Sequence, residues 1–225
     1  MWLREVKIRD AKTRIARRVA LEMTDGDVVN LGIGLPTQVV HYLPSGVEVM
    51  VQSENGFVGL GAVGKQDANL VDAGGQPAGL VPGAAMFDSA MSFALIRGGH
   101  IDVTVLGGLE VDQEGNLANW MVPGQRVPGM GGAMDLVNGA RKVIVAMEHC
   151  TKKGQSKILR QCTLPLTGRQ VVDVLVTELA VFSWGAEGMV LQELASEVTV
   201  ADVREKTLAE FSISPNLQTM KGVTV

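Results

Sequence analysis

Apolar and polar positions along the chain fall into short, well-separated patterns. Ile15, Val19 and Met23 recur four apart, with Ala16 and Ala20 beside them. This is one apolar stripe at helical spacing, and it predicts an amphipathic helix over 11–24. Asp10 is placed to cap it, and Asp25-Gly26 to end it. A short strand over 27–31 follows, then the turn Gly32-Ile33-Gly34. Pro36 suits the first turn of a second helix, to about residue 42. After Pro44-Ser45-Gly46 comes the next strand, over 47–52. Strand, glycine turn, helix, strand is a βαβ unit. The alternation continues with extended pieces over 69–73 and 79–82, a helix over 87–96 closed by Gly98-Gly99, and strands over 102–106, 141–147 and 171–177. A strand pair over 180–183 and 189–193 and a helix over 201–211 complete it. The pattern predicts an α/β fold, an open, mainly parallel sheet with flanking helices. No repeat, low-complexity linker or compositional break divides it, so one domain over 1–225 is expected.

Composition narrows this picture. The chain has 225 residues, 46% hydrophobic and 20% charged, so it can build an ordinary core. A net charge of -4 and the lack of a Lys/Arg tract give no support for a nucleic-acid partner. Lys12, Arg14, Arg17 and Arg18 on the first helix read as a solvated face. No apolar run reaches the length of a membrane span, and the first nine residues carry charges where a signal peptide would be apolar. Cys150 and Cys162 form no disulfide framework. A cytoplasmic location without membrane association is expected. Glycine supplies 27 of 225 residues, above the usual ~7%, and clusters behind strands, as tight loops require.

Candidate chemistry concentrates in those loops. In Gln52-Ser53-Glu54-Asn55-Gly56 a carboxylate follows a strand and precedes an Asn-Gly step, with Gly59, Gly61 and Gly64 beyond. Glu54 is either a solvated turn residue or a carboxylate held out at a strand end for chemistry. The local sequence leaves both open. Gly32 to Thr37 fails the dinucleotide fingerprint, because Thr37 stands where a third glycine or alanine belongs. It is either a tight turn or a set of N–H groups for an anion. Gly64-Lys65-Gln66 lacks the Ser/Thr of a P-loop. His149 and Cys150, adjacent on a strand, would face opposite ways, which argues against a Cys/His catalytic pair. His100 reads as structural, and the three histidines and two cysteines show no metal-ligand spacing. In the segment 123–135, Gly129, Gly131 and Gly132 leave the backbone bare for close approach or an anion cradle. Met130, Ala133 and Met134 argue against a merely solvated loop.

Taken in order, Asn-Leu-Gly-Ile-Gly-Leu-Pro-Thr from Asn30, Gln-Ser-Glu-Asn-Gly from Gln52, Gly-Gly-His-Ile-Asp from Gly98, the run from Leu106 to Trp120, Pro-Gly-Met-Gly-Gly-Ala-Met-Asp from Pro128, Val143 to His149 and Leu-Pro-Leu-Thr-Gly from Leu164 form one set. The set closely resembles the β subunit of bacterial family I 3-oxoacid CoA-transferases of the acetate/acetoacetate type, over nearly the whole span 11–211. The resemblance implies the α/β fold shared with certain sugar-phosphate isomerases. It implies that Glu54 is a nucleophile in ping-pong transfer through an acyl–glutamyl anhydride and a glutamyl-CoA thioester, that the Gly132 N–H stabilises the oxyanion, and that Asn30 is a polar active-site residue. Gly32, Gly34, Asn55, Gly56 and Gly131 are expected around the substrate. A glutamate carboxylate is ionised at neutral pH, so such a nucleophile needs no neighbouring base. Coenzyme A is then a substrate, with no resident cofactor or metal, and the partner is an α subunit in an α2β2 assembly. The substrates implied are short-chain acyl-CoA and short-chain or 3-oxo acids: acetate, acetoacetate, succinate or butyrate. Ala62 departs from the family's frequent proline after Gly-Leu-Gly, which bears on acyl preference. Two other readings of the scaffold are an acyl-CoA hydrolase and a non-catalytic sugar-phosphate-binding module.

Overall fold

The computed structural model describes residues 10–61, 69–124, 129–186 and 188–222. Ala62, the Gly64-Lys65-Gln66 step and Pro128 lie outside the described residues.

Helix α1 (Ala11–Ala20) starts at Asp10, whose carboxylate accepts the Thr13 N–H at 3.2 Å. It ends three residues before the apolar stripe does, at Ala20 rather than Met23. Leu21, Glu22 and Met23 donate to carbonyls three residues back, a tightened last turn that still buries Met23. Strand β1 (Val28–Leu31) follows, then Leu35–Tyr42 as a 3₁₀ helix where an α-helix was expected. Strand β2 (Met50–Ser53) runs parallel to β1, completing the expected βαβ unit. Next come β3 (Phe57–Gly61), β4 (Gly79–Met86), α2 (Ser89–Arg97) and β5 (Val103–Leu106). The short strands β6 (Glu110–Asp112) and β7 (Leu117–Ala118), helix α3 (Ala133–Gly139), β8 (Lys142–Ala146) and β9 (Ile158–Leu159) lead to β10 (Val174–Val176). The chain closes with the hairpin β11 (Ala180–Gly185) and β12 (Gly188–Leu194), helix α4 (Val200–Lys206) and β13 (Ser212–Thr219). The predicted last helix over 201–211 is therefore cut at Lys206, and the remainder leads into an edge strand. Pro215 fits there, because an edge strand has one unpaired side.

Among the described residues one ten-stranded sheet has the order β13-β12-β11-β10-β8-β5-β1-β2-β3-β4, and β7-β6-β9 form a small second sheet. The centre, β10-β8-β5-β1-β2, is parallel throughout. Antiparallel pairs extend it on both sides, β2-β3-β4 and β10-β11-β12. The central strands are covered on both faces, as parallel strands usually are. Val29, Val103, Val105, Ile144 and Ala146 pack with Ile15, Val19 and Val39 on one side. Leu106, Val143, Val145 and Leu175 pack with Ile96 of α2, Leu136 of α3 and Leu117 on the other.

The basic stretch on α1 is a solvated face only in part: Lys12 and Arg17 are exposed, and the other two arginines are not. Arg14 and Arg18 are four apart and so share one helical row, beside the buried Ile15 and Val19. Arg18 is buried and forms a two-pronged pair with Glu193 of β12, Nε to Oε2 at 2.7 Å and Nη2 to Oε1 at 3.0 Å. It also meets Glu22 at 2.7 Å. Arg14 reaches the Glu178 carbonyl and Glu197. Among the described residues no helix is long and apolar enough to cross a membrane.

Candidate active site

In strand order, β2 lies on one side of β1 and β5 on the other. This reversal opens a crevice beyond the carboxyl ends of the strands, where open α/β sheets bind ligands. Gly32 closes the end of β1 by donating its N–H to Val105 O at 2.8 Å. A methyl there would lie 3.2 Å from both Val105 O and Leu106 Cδ2, so the two strand ends approach this closely only around glycine.

Glu54 stands at the carboxyl end of β2. The three residues Glu54, Asn55 and Gly56 form the tip of a hairpin whose strands pair Gln52 with Val58 and Ser53 with Phe57. Gly56 has φ 132°, a backbone conformation that favours glycine, and its N–H donates to Ser53 O at 3.0 Å. Its carbonyl accepts the Phe87 N–H at 2.8 Å, and a methyl on Gly56 would fall 2.2 Å from Phe87 O. The hairpin tip is thus clasped to the residue before the Asp88 cap of α2. Asn55 is turned away from the crevice: its amide donates to Val71 O at 2.7 Å, and its oxygen accepts from Ser53 Oγ at 2.7 Å. Ser53 Oγ accepts in turn from the Ala73 N–H. These bonds fix the loop and leave Glu54 as the tip side chain facing inward.

Two distant segments meet it there. Asn30 of β1, 1% exposed, donates its amide to Glu54 Oε2 at 3.2 Å and to Gln52 Oε1 at 2.7 Å. Gly132 lies against the carboxylate stem: a methyl on it would sit 3.3 Å from Glu54 Cγ and 3.4 Å from Phe93 Cζ. Among the described residues no cation pairs with Glu54. Gly34 (φ 91°) and Gly131 (φ 57°) have open space where a methyl would project. The three-glycine loop and the strand-end carboxylate, read separately in the sequence, are neighbours.

Two further groups belong to this surrounding. Gln52 and Ser92 are buried, with Gln52 Nε2 donating to Ser92 Oγ at 2.9 Å, and Phe93 packs against the Gly132 position. The signal for Gln52 was a polar side chain directly after the apolar run Val49-Met50-Val51. Ser92 gave none, sitting in an ordinary helical pattern.

The other polar clusters do different work. His149 is buried, with its two ring nitrogens 3.1 Å from Thr177 Oγ1 and 2.9 Å from Thr207 Oγ1. Burial, and then Lys206 and Lys157, lower its pKa to about 3. Cys150 pairs across an isolated bridge with Ser156, and burial pushes up both its thiol and that of Cys162. Neither thiol has the depressed pKa of a nucleophilic cysteine.

A strand-end carboxylate at a switch-point crevice, unpaired by cations among the described residues and pressed against a bare glycine backbone, defines a site suited to covalent acyl chemistry. The profile of the Coenzyme A transferase family matches residues 12–206, and the chain belongs to that family. It is 65% identical over 213 residues to the beta subunit of the acetate CoA-transferase of Escherichia coli K12, covering 95% of this chain and 99% of that one. It is 52% identical over 213 residues to one subunit of the probable succinyl-CoA:3-ketoacid coenzyme A transferase of Bacillus subtilis, covering 93% of this chain and 99% of that one. Among solved structures the fold matches the apoenzyme of the acyl-CoA transferase YdiF from Escherichia coli O157:H7, with TM-score 0.78 and 24% identity over 94% of this chain. The match spans only 43% of the YdiF chain. The glutaconate coenzyme A-transferase of Acidaminococcus fermentans matches with TM-score 0.70 and 17% identity, over 97% of this chain and 91% of that one. The decarboxylase AibA/AibB also shares the fold, with TM-score 0.65 and 19% identity over 93% of this chain and 88% of that one.

Proposed function

We propose that this chain, with an α subunit, transfers coenzyme A between a short-chain acyl-CoA and a short-chain or 3-oxo acid, with Glu54 as the covalent nucleophile. The observation that carries this reading is the meeting of Glu54 with Gly132 and Asn30 at the switch point. A Glu54 oxygen bonds to the thioester carbonyl carbon, the C–S bond breaks, and CoA leaves as its thiolate. The product is an acyl–glutamyl anhydride. The thiolate then attacks the Glu54 carbonyl carbon, breaks its bond to the bridging oxygen, releases the first acid as a carboxylate and leaves a glutamyl-CoA thioester. A second carboxylate enters by the reverse steps and leaves as the new acyl-CoA, returning Glu54 free. Each addition places negative charge on a carbonyl oxygen, for which the Gly132 N–H is the donor from this chain. One such donor is worth ~3 kcal/mol of barrier. Asn30 holds one carboxylate oxygen. Gly32, Gly34 and Gly131 leave bare backbone for the substrate, while Asn55 and Gly56 hold the hairpin.

The two transferase relatives are each named as one subunit of a larger enzyme, which supports a second subunit for this chain. Glu54 is not among the residues that line a cavity elsewhere on this chain. That cavity, about 770 Å³, is lined by residues including Gln113, Gln170, Trp184 and Phe211. The Glu54 crevice would be closed from outside, in an α2β2 assembly with coenzyme A as substrate and no resident cofactor. The test is co-expression with the α subunit and assay of acetoacetyl-CoA formation from acetyl- or succinyl-CoA. Glu54→Ala should abolish transfer, and borohydride added with acyl-CoA should label Glu54. Wild-type transfer by Glu54→Ala would end this reading.

A further inference from the structure

We propose that Gln52 is a positioning residue that aims the nucleophile by holding the Asn30 amide. This rests on the reading of Glu54 as the nucleophile. Gln52 of β2, Asn30 of β1 and Thr104 of β5 stand in register across three neighbouring parallel strands. They are 2%, 1% and 0% exposed, and Ser92 of α2, at 0%, caps the Gln52 end. Uncharged polar side chains in such a place are costly unless bonded.

The bonds run in one direction. Gln52 Nε2 donates to Ser92 Oγ at 2.9 Å, Asn30 Nδ2 donates to Gln52 Oε1 at 2.7 Å, and the same Nδ2 reaches Glu54 Oε2 at 3.2 Å. That polarity has a chemical cause. An ionised carboxylate and the Gln52 main-chain oxygen, 3.4 Å from Asn30 Nδ2, can only accept, so the Asn30 NH₂ must face them. Gln52 must then offer Asn30 its oxygen and give its own NH₂ to Ser92. Among the described residues the other end of the Asn30 amide is unheld: its Oδ1 is buried with no hydrogen-bond partner, as is Thr104 Oγ1. The orientation of the Asn30 amide, which contacts the carboxylate, therefore depends on Gln52. With Oε2 engaged, Oε1 of Glu54 is the oxygen left to attack. Ser92 lies four residues after Asp88, on the helix that follows the Phe87 clasp, so one segment fixes both the hairpin tip and the far end of the row.

The test uses the complex with the α subunit. Gln52→Met keeps the length and removes the polar atoms. It should lower kcat by about 10- to 100-fold, since aim rather than affinity is lost, with KM changed less than about twofold. In an Asn30→Ala background the same substitution should add less than about twofold, because the two residues act as a unit. Gln52→Glu sets a second carboxylate beside Glu54 and should move the acid limb of the kcat/KM profile to higher pH. Ser92→Ala removes a single oxygen and should give a smaller loss of kcat in the same direction. It serves as the readout if Gln52→Met does not fold. Wild-type kcat in Gln52→Met or Ser92→Ala, or fully multiplicative losses with Asn30→Ala, would overturn the assignment. Transfer by Glu54→Ala would instead remove the nucleophile reading beneath it. An inactive Glu54→Ala beside fully active Gln52 and Ser92 variants would remove the positioning role alone.

Discussion

Replacing Gly56 with alanine should uncouple the Glu54 hairpin from the rest of the sheet. The new methyl would sit 2.2 Å from Phe87 O. An ordinary C···O contact is about 3.3 Å, so carbonyl and methyl must part by roughly 1 Å. They cannot do so freely, because Gly56 O accepts the Phe87 N–H at 2.8 Å, and moving Phe87 stretches that bond. Losing it costs ~1 kcal/mol. The backbone at φ 132° adds about 1–3 kcal/mol for any residue with a Cβ. Together the change should destabilise by ~2–4 kcal/mol, and at roughly 2–4 °C per kcal/mol for a chain of this size that is a fall of about 5–15 °C in Tm. Gly34→Ala is the matched control. Its φ is 91° and a methyl there meets nothing within 4 Å, so it carries strain without a clash. Calorimetry on both variants, co-purified with the α subunit, isolates the clasp, and the Gly56→Ala complex should also lose transfer activity. A Gly56→Ala protein melting within about 2 °C of Gly34→Ala would show that the Phe87 clasp does not hold the hairpin.

Three other outcomes are expected. Gly132→Ala meets an unstrained backbone but places a methyl 3.3 Å from Glu54 Cγ. It should lower kcat by about tenfold or more with Tm within ~2 °C of wild type, and unchanged kinetics would count against a tight Glu54–Gly132 contact. Glu193→Gln leaves buried Arg18 with only Glu22 as a carboxylate partner among the described residues, and should destabilise by about 3 kcal/mol, read as a shifted midpoint in urea; an unmoved midpoint would contradict it. His149 is held neutral by burial, with its pKa lowered to about 3 and the charges of Lys206 and Lys157 opposing protonation. Above its unfolded pKa of ~6.5 neither state binds the proton. Below it only the unfolded chain does, so stability falls as pH drops toward 3 and by about 2 kcal/mol at pH 5. Glu178, raised by burial and bonded to the His149 N–H, titrates in the opposite sense, so the comparison is with His149→Gln, in which the pH 7 to 5 loss should shrink by that amount. Equal losses in both proteins would refute the assignment.

The parts of the fold legible in the sequence were those built from local apolar period. The α1 stripe, the first βαβ unit and the β5 and β8 runs all stand close to where the pattern put them, because their burial on one or both faces is written into consecutive residues. What escaped was set by partners far away in the chain. Strand β3 is largely glycine and apolar, and its identity comes from pairing with β2 and β4. A methyl on Gly59 would sit 2.7 Å from Ala84 Cβ, so the glycines that looked like loop residues are what allows two strands to lie this close. Helix α3 went unread because it is short and opens at the end of the glycine-rich segment 123–135. Arg18 looked solvated because its partner, Glu193, lies on β12, far along the sequence. At the site, Glu54 and Gly132 were each visible as odd local chemistry, and their adjacency was not, since only the sheet order brings the end of β2 to the start of α3.

That division explains why the hairpin tip carries more of the functional argument than the sheet does. The sheet is shared with a decarboxylase as well as with CoA-transferases, at identities where only the fold is common. An Asn-Gly step after a strand is a hairpin signal whatever precedes it. The turn residue and the proposed nucleophile, the two readings of Glu54, are therefore compatible with one structure. The Asn55-Gly56 turn, fastened to Val71 and Phe87, spends its own polar groups on the protein and so projects the glutamate into the crevice. A solvated turn would have left Glu54 free to rotate in water. Here Asn30 holds one of its oxygens and Gly132 limits its stem, so the direction of the carboxylate is already set. Such preorganisation is what separates a nucleophile from an exposed acid of the same chemistry.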